Sequence, residues 1–118
     1  MSAMTRLIGA LALLAAEAPA QISWLDRHDV PVDELALEFD DAFHLVSILD
    51  ADEAAVAALR EIDAALSAMS GPARAAHWTT EALAADAEWR EVRRLAGACL
   101  TRLTGGRDHP LPRIEVIR

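Results

Sequence analysis

Hydrophobic residues recur every three or four positions along most of the chain, and this spacing places side chains on one side of an α-helix. The last long pattern follows Asp86, a residue type that commonly begins helices, and precedes Gly105-Gly106. We therefore predict a long helix between these residues. Its buried side is expected to consist of Trp89, Val92, Ala96, Cys99 and Leu103.

A second long helix is predicted between Asp50 and Gly71. Asp50 and Glu53 have the spacing of an N-terminal capping box, in which each side chain bonds to the backbone of the other residue. Gly71 is expected to end this helix, because glycine readily adopts the conformation found at helix ends, and Pro72 prevents its continuation.

The segment VPVDELALEFDDAFHLVSIL, residues 30–49, fits two local structures. Leu35, Leu37 and Phe39 alternate with less apolar residues, as they would on a half-buried β-strand. Helical spacing covers more of the segment, so we predict a helix here. Its buried side is expected to include Val32, Leu35, Phe39, Ala42 or Phe43, Val46 and Leu49.

The N-terminal segment RLIGALALLAAEAPAQ, residues 6–21, resembles a secretory signal, with one basic residue, an apolar run and a small-x-small motif. Three features favour a structural helix over residues 5–18 instead. Arg6 is the only basic residue in this segment, whereas secretory signals usually carry more positive charge at this point. Thr5 can cap a helix, and Pro19 can end it. This helix would be apolar nearly all round, so it needs neighbours on several sides or a partner chain.

Shorter helical segments complete the fold prediction. They cover residues 19–28, the segment PARAAHW, and TEALAAD, which Thr79 or Thr80 can cap. We therefore predict an all-α fold, a compact helical bundle of three long and two or three short helices. Residues 1–106 would form a single helical domain, and residues 107–118, which contain two prolines, an extended C-terminal tail.

The composition limits the classes of function. The 118-residue chain has 19 acidic residues against 11 arginines and a net charge of −8, so a phosphate backbone and an anionic membrane surface would be repelled. A basic protein partner is electrostatically favoured. Cys99, the single cysteine, lies among leucines and is expected to be buried rather than catalytic. No catalytic motif or phosphate-binding loop occurs, so we expect no catalytic residue and no cofactor.

The acidic residues are concentrated between residues 28 and 59, where there are nine of them and no arginine. Those near helix starts are explained by the helix dipole, which favours negative charge at its N-terminus. That account fails for the acids in the middle of the third helix, whose like charges oppose each other. A basic partner would compensate them, so we predict a partner-binding face composed of Asp33, Glu34, Glu38, Asp40 and Asp41.

Histidine and arginine patterns provide weaker candidates. Two pairs have the i, i+4 spacing of metal ligands on one helix, namely Asp40 with His44 and His77 with Glu81. The Glu-x-x-His motif of di-metal helical bundles is absent, however, and Thr79 looks like a helix start between His77 and Glu81. We therefore expect no metal site. The arginines of REVRRLA, residues 90–96, are expected to form pairs within their helix, such as Asp86–Arg90, or to contact the acidic helix.

The segments HWTTEALAADAEWREVRRLAGACLTRL and DVPVDELALEFDDAF resemble small helical proteins of high-GC actinobacteria, some of which are similar to immunity proteins that neutralise toxins. This resemblance adds support to a non-enzymatic protein that binds a basic partner such as a toxin or nuclease, and the structural helix predicted over residues 5–18 favours a cytoplasmic location. The alternatives are a homodimer formed through the helix at residues 5–18 and, less favoured, a small metal-dependent enzyme.

Overall fold

The computed structural model describes residues 3–47, 53–106 and 111, and 85% of these residues are helical with no strand among them. The all-α prediction is confirmed, and residues 33–47 form a helix rather than a strand. The helices are α1 (Ala3–Ala15), α2 (Ala18–His28), α3 (Asp33–Ser47), α4 (Glu53–Ala68), a 3-10 helix (Pro72–His77), α5 (Thr80–Ala85) and α6 (Ala87–Thr104).

The four longest helices enclose one hydrophobic core. Helix α1 packs against both α3 and α6, and α4 packs against α6 and α3, so the four helices form a closed ring of contacts. Helix α2 packs against α5 outside this ring. The buried sides of the described helices follow the predicted spacing, although Leu103 is only half-buried. The Val46 side chain and Leu49, both predicted to be buried, lie outside the described residues. The largest fully buried side chains are Trp24, Trp89, Phe39, Leu7, Leu11, Leu13, Leu14, Leu35, Leu59, Ile62, Met69 and Leu83.

Helix α1 is covered by other helices of the same chain. Leu7, Leu11 and Leu14 are fully buried, as the predicted spacing requires, and so is Leu13 on an adjacent side. Helices α3 and α6 provide this cover. The apolar surface that suggested a homodimer is therefore already enclosed, and this observation no longer supports a second copy.

The predicted ends of α1 are wrong. The helix begins at Ala3, so Thr5 lies within its first two turns instead of capping it. It ends at Ala15, four residues before Pro19. Helix α2 starts at Ala18, with Pro19 in its first turn, and the axes of α1 and α2 differ in direction by 120°. In the part of the chain that the structure describes, no single helix meets the length and hydropathy expected of a membrane span, although the bent α1–α2 pair does so jointly.

Gln21 connects the end of α1 to α6. Its side chain is fully buried, and its Nε2 atom donates to the carbonyl oxygens of Leu13 and Leu14 at 3.0 Å each. Its Oε1 atom accepts a hydrogen bond of 2.9 Å from Arg93 Nη1 on α6. The last carbonyls of α1, which have no partner within the helix, are thus satisfied by a side chain.

The other helix ends match the prediction in part. Thr79 caps α5, since its Oγ1 accepts from the Ala82 N–H at 3.1 Å, and Gly105 ends α6 in the left-handed region with φ 84°. Helix α4 ends at Ala68, three residues before Gly71. Gly71, with φ 115° and ψ 163°, instead directly precedes the 3-10 helix, which starts at Pro72.

Two predictions concern residues that the structure describes only in part. Asp50, the proposed cap of α4, lies outside the described residues. So does the proposed tail, 107–118, apart from Leu111, which is half-buried against the core.

Candidate functional site

The solvent-facing side of α3 carries all five predicted partner-binding residues. Helical geometry arranges this side as two adjacent rows, because residues three or four positions apart lie above one another. One row runs Asp33, Leu37, Asp40, His44, and the other Glu34, Glu38, Asp41, Leu45. We call these eight residues the α3 face.

The α3 face is held in place by the opposite side of the helix. Leu35, Phe39 and Ala42 are buried in the core, where α3 packs against α1 and α4. Phe39 also stacks obliquely on Phe43, with ring centroids 5.6 Å apart. The acids therefore project from a helix whose rotation about its axis is fixed by the core.

Exposed leucines accompany these acids. Among the described residues, the exposed large hydrophobic side chains are Met4, Leu37 and Leu45, and both leucines belong to the α3 face. Leu37 is 52% exposed and Leu45 is 40% exposed. Each row thus combines acids with one exposed leucine, so the α3 face offers both charged and apolar contacts.

A small groove lies between α3 and α4 beside Leu37. Its volume is about 180 Å³, and its walls include Ala36, Leu37 and Asp40 from α3 with Asp63 and Leu66 from α4. This volume is below the roughly 300–1,000 Å³ of ordinary small-molecule sites. A single side chain of a partner is therefore a better fit than a cofactor or a substrate.

A second concavity, of about 500 Å³, is lined by Arg6 of α1 and by four residues from the C-terminal half of the α3 face: Asp40, Asp41, His44 and Leu45. Glu38 is half-buried nearby, and burial raises the pKa of its carboxyl group above the ordinary value of 4.5. The negative charges of Glu34 and Asp41 and a hydrogen bond with Glu34 also raise this pKa, while the positive charge of Arg6 lowers it.

Arg6 therefore partly offsets the negative charge around Glu38. The ion pairs between described residues are His77–Asp86 and Arg94–Glu91, and neither involves α3. Asp33 and Glu34 lie in the first turn of α3, where the helix dipole stabilises them. Asp40 and Asp41 are exposed in the middle of the helix without that contribution.

The prediction that these arginines pair within their helix is confirmed for Arg94, which forms an ion pair with Glu91 of α6, but the example of Asp86 with Arg90 is wrong. Asp86 bonds to His77 instead of Arg90, whose Nη1 atom donates to the Ala85 carbonyl at 3.1 Å. Arg93 reaches Gln21 and the Leu83 carbonyl, so within the described part of the chain its hydrogen bonds hold α2 and α5 rather than the acidic helix.

Cys99 and the tryptophans have structural environments. Cys99 is buried, and desolvation raises the pKa of its thiol despite the opposing charge of Arg102, so the thiolate is disfavoured. Trp24 and Trp89 are fully buried, and Trp78 is half-buried against Trp89. All three tryptophans therefore pack in or against the core.

The proposed histidine pairs are not both preserved. His77 and Glu81 do not share a helix, because the 3-10 helix ends at His77 and α5 begins at Thr80. His77 instead approaches Asp86 and Glu88, a grouping that the sequence spacing does not indicate.

Sequence reasoning missed four residues that shape the candidate site: Arg6, Leu37, Leu45 and Asp63. Leu37 and Leu45 lie off the buried helical stripe, so their positions alone could have marked them as exposed. Arg6 and Asp63 come from other helices, and only the packing brings them to α3.

Comparison with protein-family models, with curated proteins and with solved structures gave no match to this chain. The resemblance to small helical actinobacterial proteins therefore stays a prediction, and function is argued below from geometry.

Proposed function

We propose that this chain is a non-enzymatic protein-binding module whose α3 face binds a basic protein partner. The observation that carries the proposal is the combination of exposed Leu37 and Leu45 with five acids on one rigid helix face. Acids alone would suit solvent, and leucines alone would suit a core. Together they have the mixed composition of a protein–protein interface, in which exposed apolar and charged side chains lie on one surface.

The two residue types would contribute differently to binding. Covering a half-exposed leucine contributes about 1 kcal/mol by area, so Leu37 and Leu45 would act as anchors. Exposed acids contribute mainly to the association rate, because a chain with a net charge of −8 attracts a basic partner over several ångströms. The groove beside Leu37 would receive one apolar side chain of the partner.

A toxin-neutralising immunity protein is the specific form of this proposal. Nucleases and other toxins that act on nucleic acid carry basic surfaces, which an acidic helix face would cover. In this proposal the chain has no catalytic or cofactor-binding role. We also propose that it is located in the cytoplasm. Homodimerisation through α1 is not proposed, because α3 and α6 cover that helix.

Site-directed photo-crosslinking in extracts of the source organism tests the proposal. A benzophenone amino acid at position 37 should capture a basic protein, whereas the same group at exposed Ala98 on α6 should not. The captured protein is then purified, and its affinity is measured against the variant Glu38→Ala/Asp40→Ala/Asp41→Ala and a charge-matched control, Asp26→Ala/Glu61→Ala/Glu81→Ala, whose three sites are exposed on other helices.

Loss of affinity in the α3 variant alone supports the proposal. Equal affinities of the two variants, or capture by position 98 as readily as by position 37, would show that another surface binds. An acidic captured protein would refute the electrostatic argument.

A further inference from the structure

Three potential ligand side chains meet where the 3-10 helix ends and α6 begins, far along the chain from the α3 face. His77 is the last residue of the 3-10 helix, Asp86 directly precedes α6, and Glu88 lies in its first turn. One donor atom of each residue lies within 4.8 Å of the donor atoms of the other two. Within the group, His77 Nδ1 and Asp86 Oδ2 are 2.7 Å apart.

The Asp86 carboxylate is not used by the helix that it precedes. Asp86 occupies the N-cap position of α6 with extended backbone angles, but its side chain makes no capping hydrogen bond. A residue of this type normally accepts a hydrogen bond from the first turn, which stabilises the helix by about 1 kcal/mol. Here the carboxylate instead contacts His77, so it is available to act as a ligand together with His77 and Glu88.

His77 is held from two directions. Its backbone carbonyl accepts a hydrogen bond of 2.7 Å from Trp89 Nε1, and its ring bonds to Asp86. Trp78, the next residue, packs edge-to-face on Trp89 with ring centroids 5.3 Å apart, and its own Nε1 donates to the Met69 carbonyl. The backbone at His77 is thus fixed by Trp89, and its ring is oriented by Asp86.

We propose that His77, Asp86 and Glu88 form a binding site for a divalent transition-metal ion, of which Zn²⁺ is the probe of choice. One imidazole nitrogen with two carboxylate oxygens suits Zn²⁺, Co²⁺ or Ni²⁺, whereas Ca²⁺ and Mg²⁺ prefer sites built from oxygen alone. The His77 and Asp86 side chains are 21% and 30% exposed, so water can complete the coordination.

Binding requires only small movements. Two donors about 2.1 Å from one ion at a tetrahedral angle lie roughly 3.4 Å apart, so the His77–Asp86 pair opens slightly. Glu88 is exposed and turns inward by a change of rotamer. The two carboxylates offset the helix dipole of α6, which disfavours a cation at this end.

Metal binding would fasten the start of α6 to the end of the 3-10 helix. The ligands enclose the chain from residue 77 to residue 88, which includes α5. An ion that binds only the folded chain raises its stability in proportion to the logarithm of the ion concentration. The site is independent of the α3 face, so either proposal can fail without the other.

Calorimetric titration of the untagged chain with Zn²⁺ tests the site, with tryptophan emission as a second readout because Trp89 bonds to the His77 carbonyl. We expect one equivalent of Zn²⁺ per chain, a saturating emission change, a higher melting temperature and much weaker binding of Ca²⁺. Glu88→Gln is the main variant, because an exposed substitution leaves the fold intact, and it should weaken binding by about tenfold or more.

Glu81→Gln is the matched control, since Glu81 has the sequence spacing of a His77 partner but does not share a helix with it. It should bind Zn²⁺ as the native chain does. His77→Gln should abolish the stoichiometric binding. Absence of Zn²⁺ binding by the native chain, or equal affinity in Glu88→Gln, would establish the His77–Asp86 contact as a structural hydrogen bond only.

Discussion

Replacement of Gln21 by leucine tests how the end of α1 is stabilised. The variant keeps a side chain of similar length but removes the donor to the Leu14 carbonyl and the acceptor for Arg93. The Leu13 carbonyl is less affected, because the Ala16 N–H also donates to it at 3.3 Å. Arg93 keeps its hydrogen bond to the Leu83 carbonyl.

The expected cost follows from these three contacts. An unsatisfied buried carbonyl costs about 1–3 kcal/mol, and loss of a hydrogen bond to a charged group costs about 1.5–3 kcal/mol. The more apolar leucine returns about 1 kcal/mol by burial. We therefore expect Gln21→Leu to lower the free energy of unfolding by about 3 kcal/mol, which for a urea slope of about 1.5 kcal/mol/M lowers the midpoint by about 2 M.

Urea unfolding followed by tryptophan emission measures this change. Ser23→Leu provides the control, since Ser23 is exposed on the same helix and its replacement should change stability by less than about 0.5 kcal/mol. Combining Gln21→Leu with Arg93→Met should cost less than the sum of the single changes, because the two residues contact each other. An unchanged midpoint in Gln21→Leu, or strict additivity, would refute this account.

Three further predictions concern single residues. Because the pKa of Glu38 is raised in the folded chain, its contribution to stability is complete at pH values below the unfolded pKa and is lost as the pH rises through the raised folded pKa. Glu38→Gln should therefore weaken the decline in stability as the pH rises above 4.5 in pH-dependent urea melts, and an unaltered decline would contradict this prediction. Cys99 should react with a thiol reagent only after denaturant is added, and rapid native-state labelling would disprove its burial. Thr79→Ala should cost about 1 kcal/mol in urea melts by removing the cap on Ala82, whereas Thr80→Ala should cost less.

The features predictable from the sequence are those set by neighbouring residues. The buried stripe of α3 follows from helical spacing, and the Thr79 cap and the Gly105 end follow from residue type. Even the five acids of the α3 face are brought together by helical geometry alone. Such features depend on contacts within one or two turns, which single-sequence patterns describe well.

Contacts between distant segments were not predictable. Gln21 and Arg93 are 72 positions apart, and only the packing of α2 against the rest of the fold joins them. The ends of α1 were misplaced for a related reason, since the bend before α2 depends on what each helix buries. The approach of Arg6 to Glu38 likewise requires α1 and α3 to be packed together.

The His77 cluster shows how spacing can indicate the wrong partner. The i, i+4 pattern pairs His77 with Glu81, but the two residues belong to different helices, because Thr79 caps a new helix that starts at Thr80. Its actual neighbour Asp86 lies nine positions away, across α5. Sequence spacing locates a ligand pair only where both residues belong to one continuous helix.

The affinity of the captured partner for the two triple variants tests the central claim most directly. Removal of Glu38, Asp40 and Asp41 should weaken binding by about tenfold or more, mainly through slower association, and the loss should shrink as salt is added. The control that removes Asp26, Glu61 and Glu81 changes the net charge equally and should retain near-native affinity. Equal weakening in both variants would mean that net charge, and not the α3 face, determines binding.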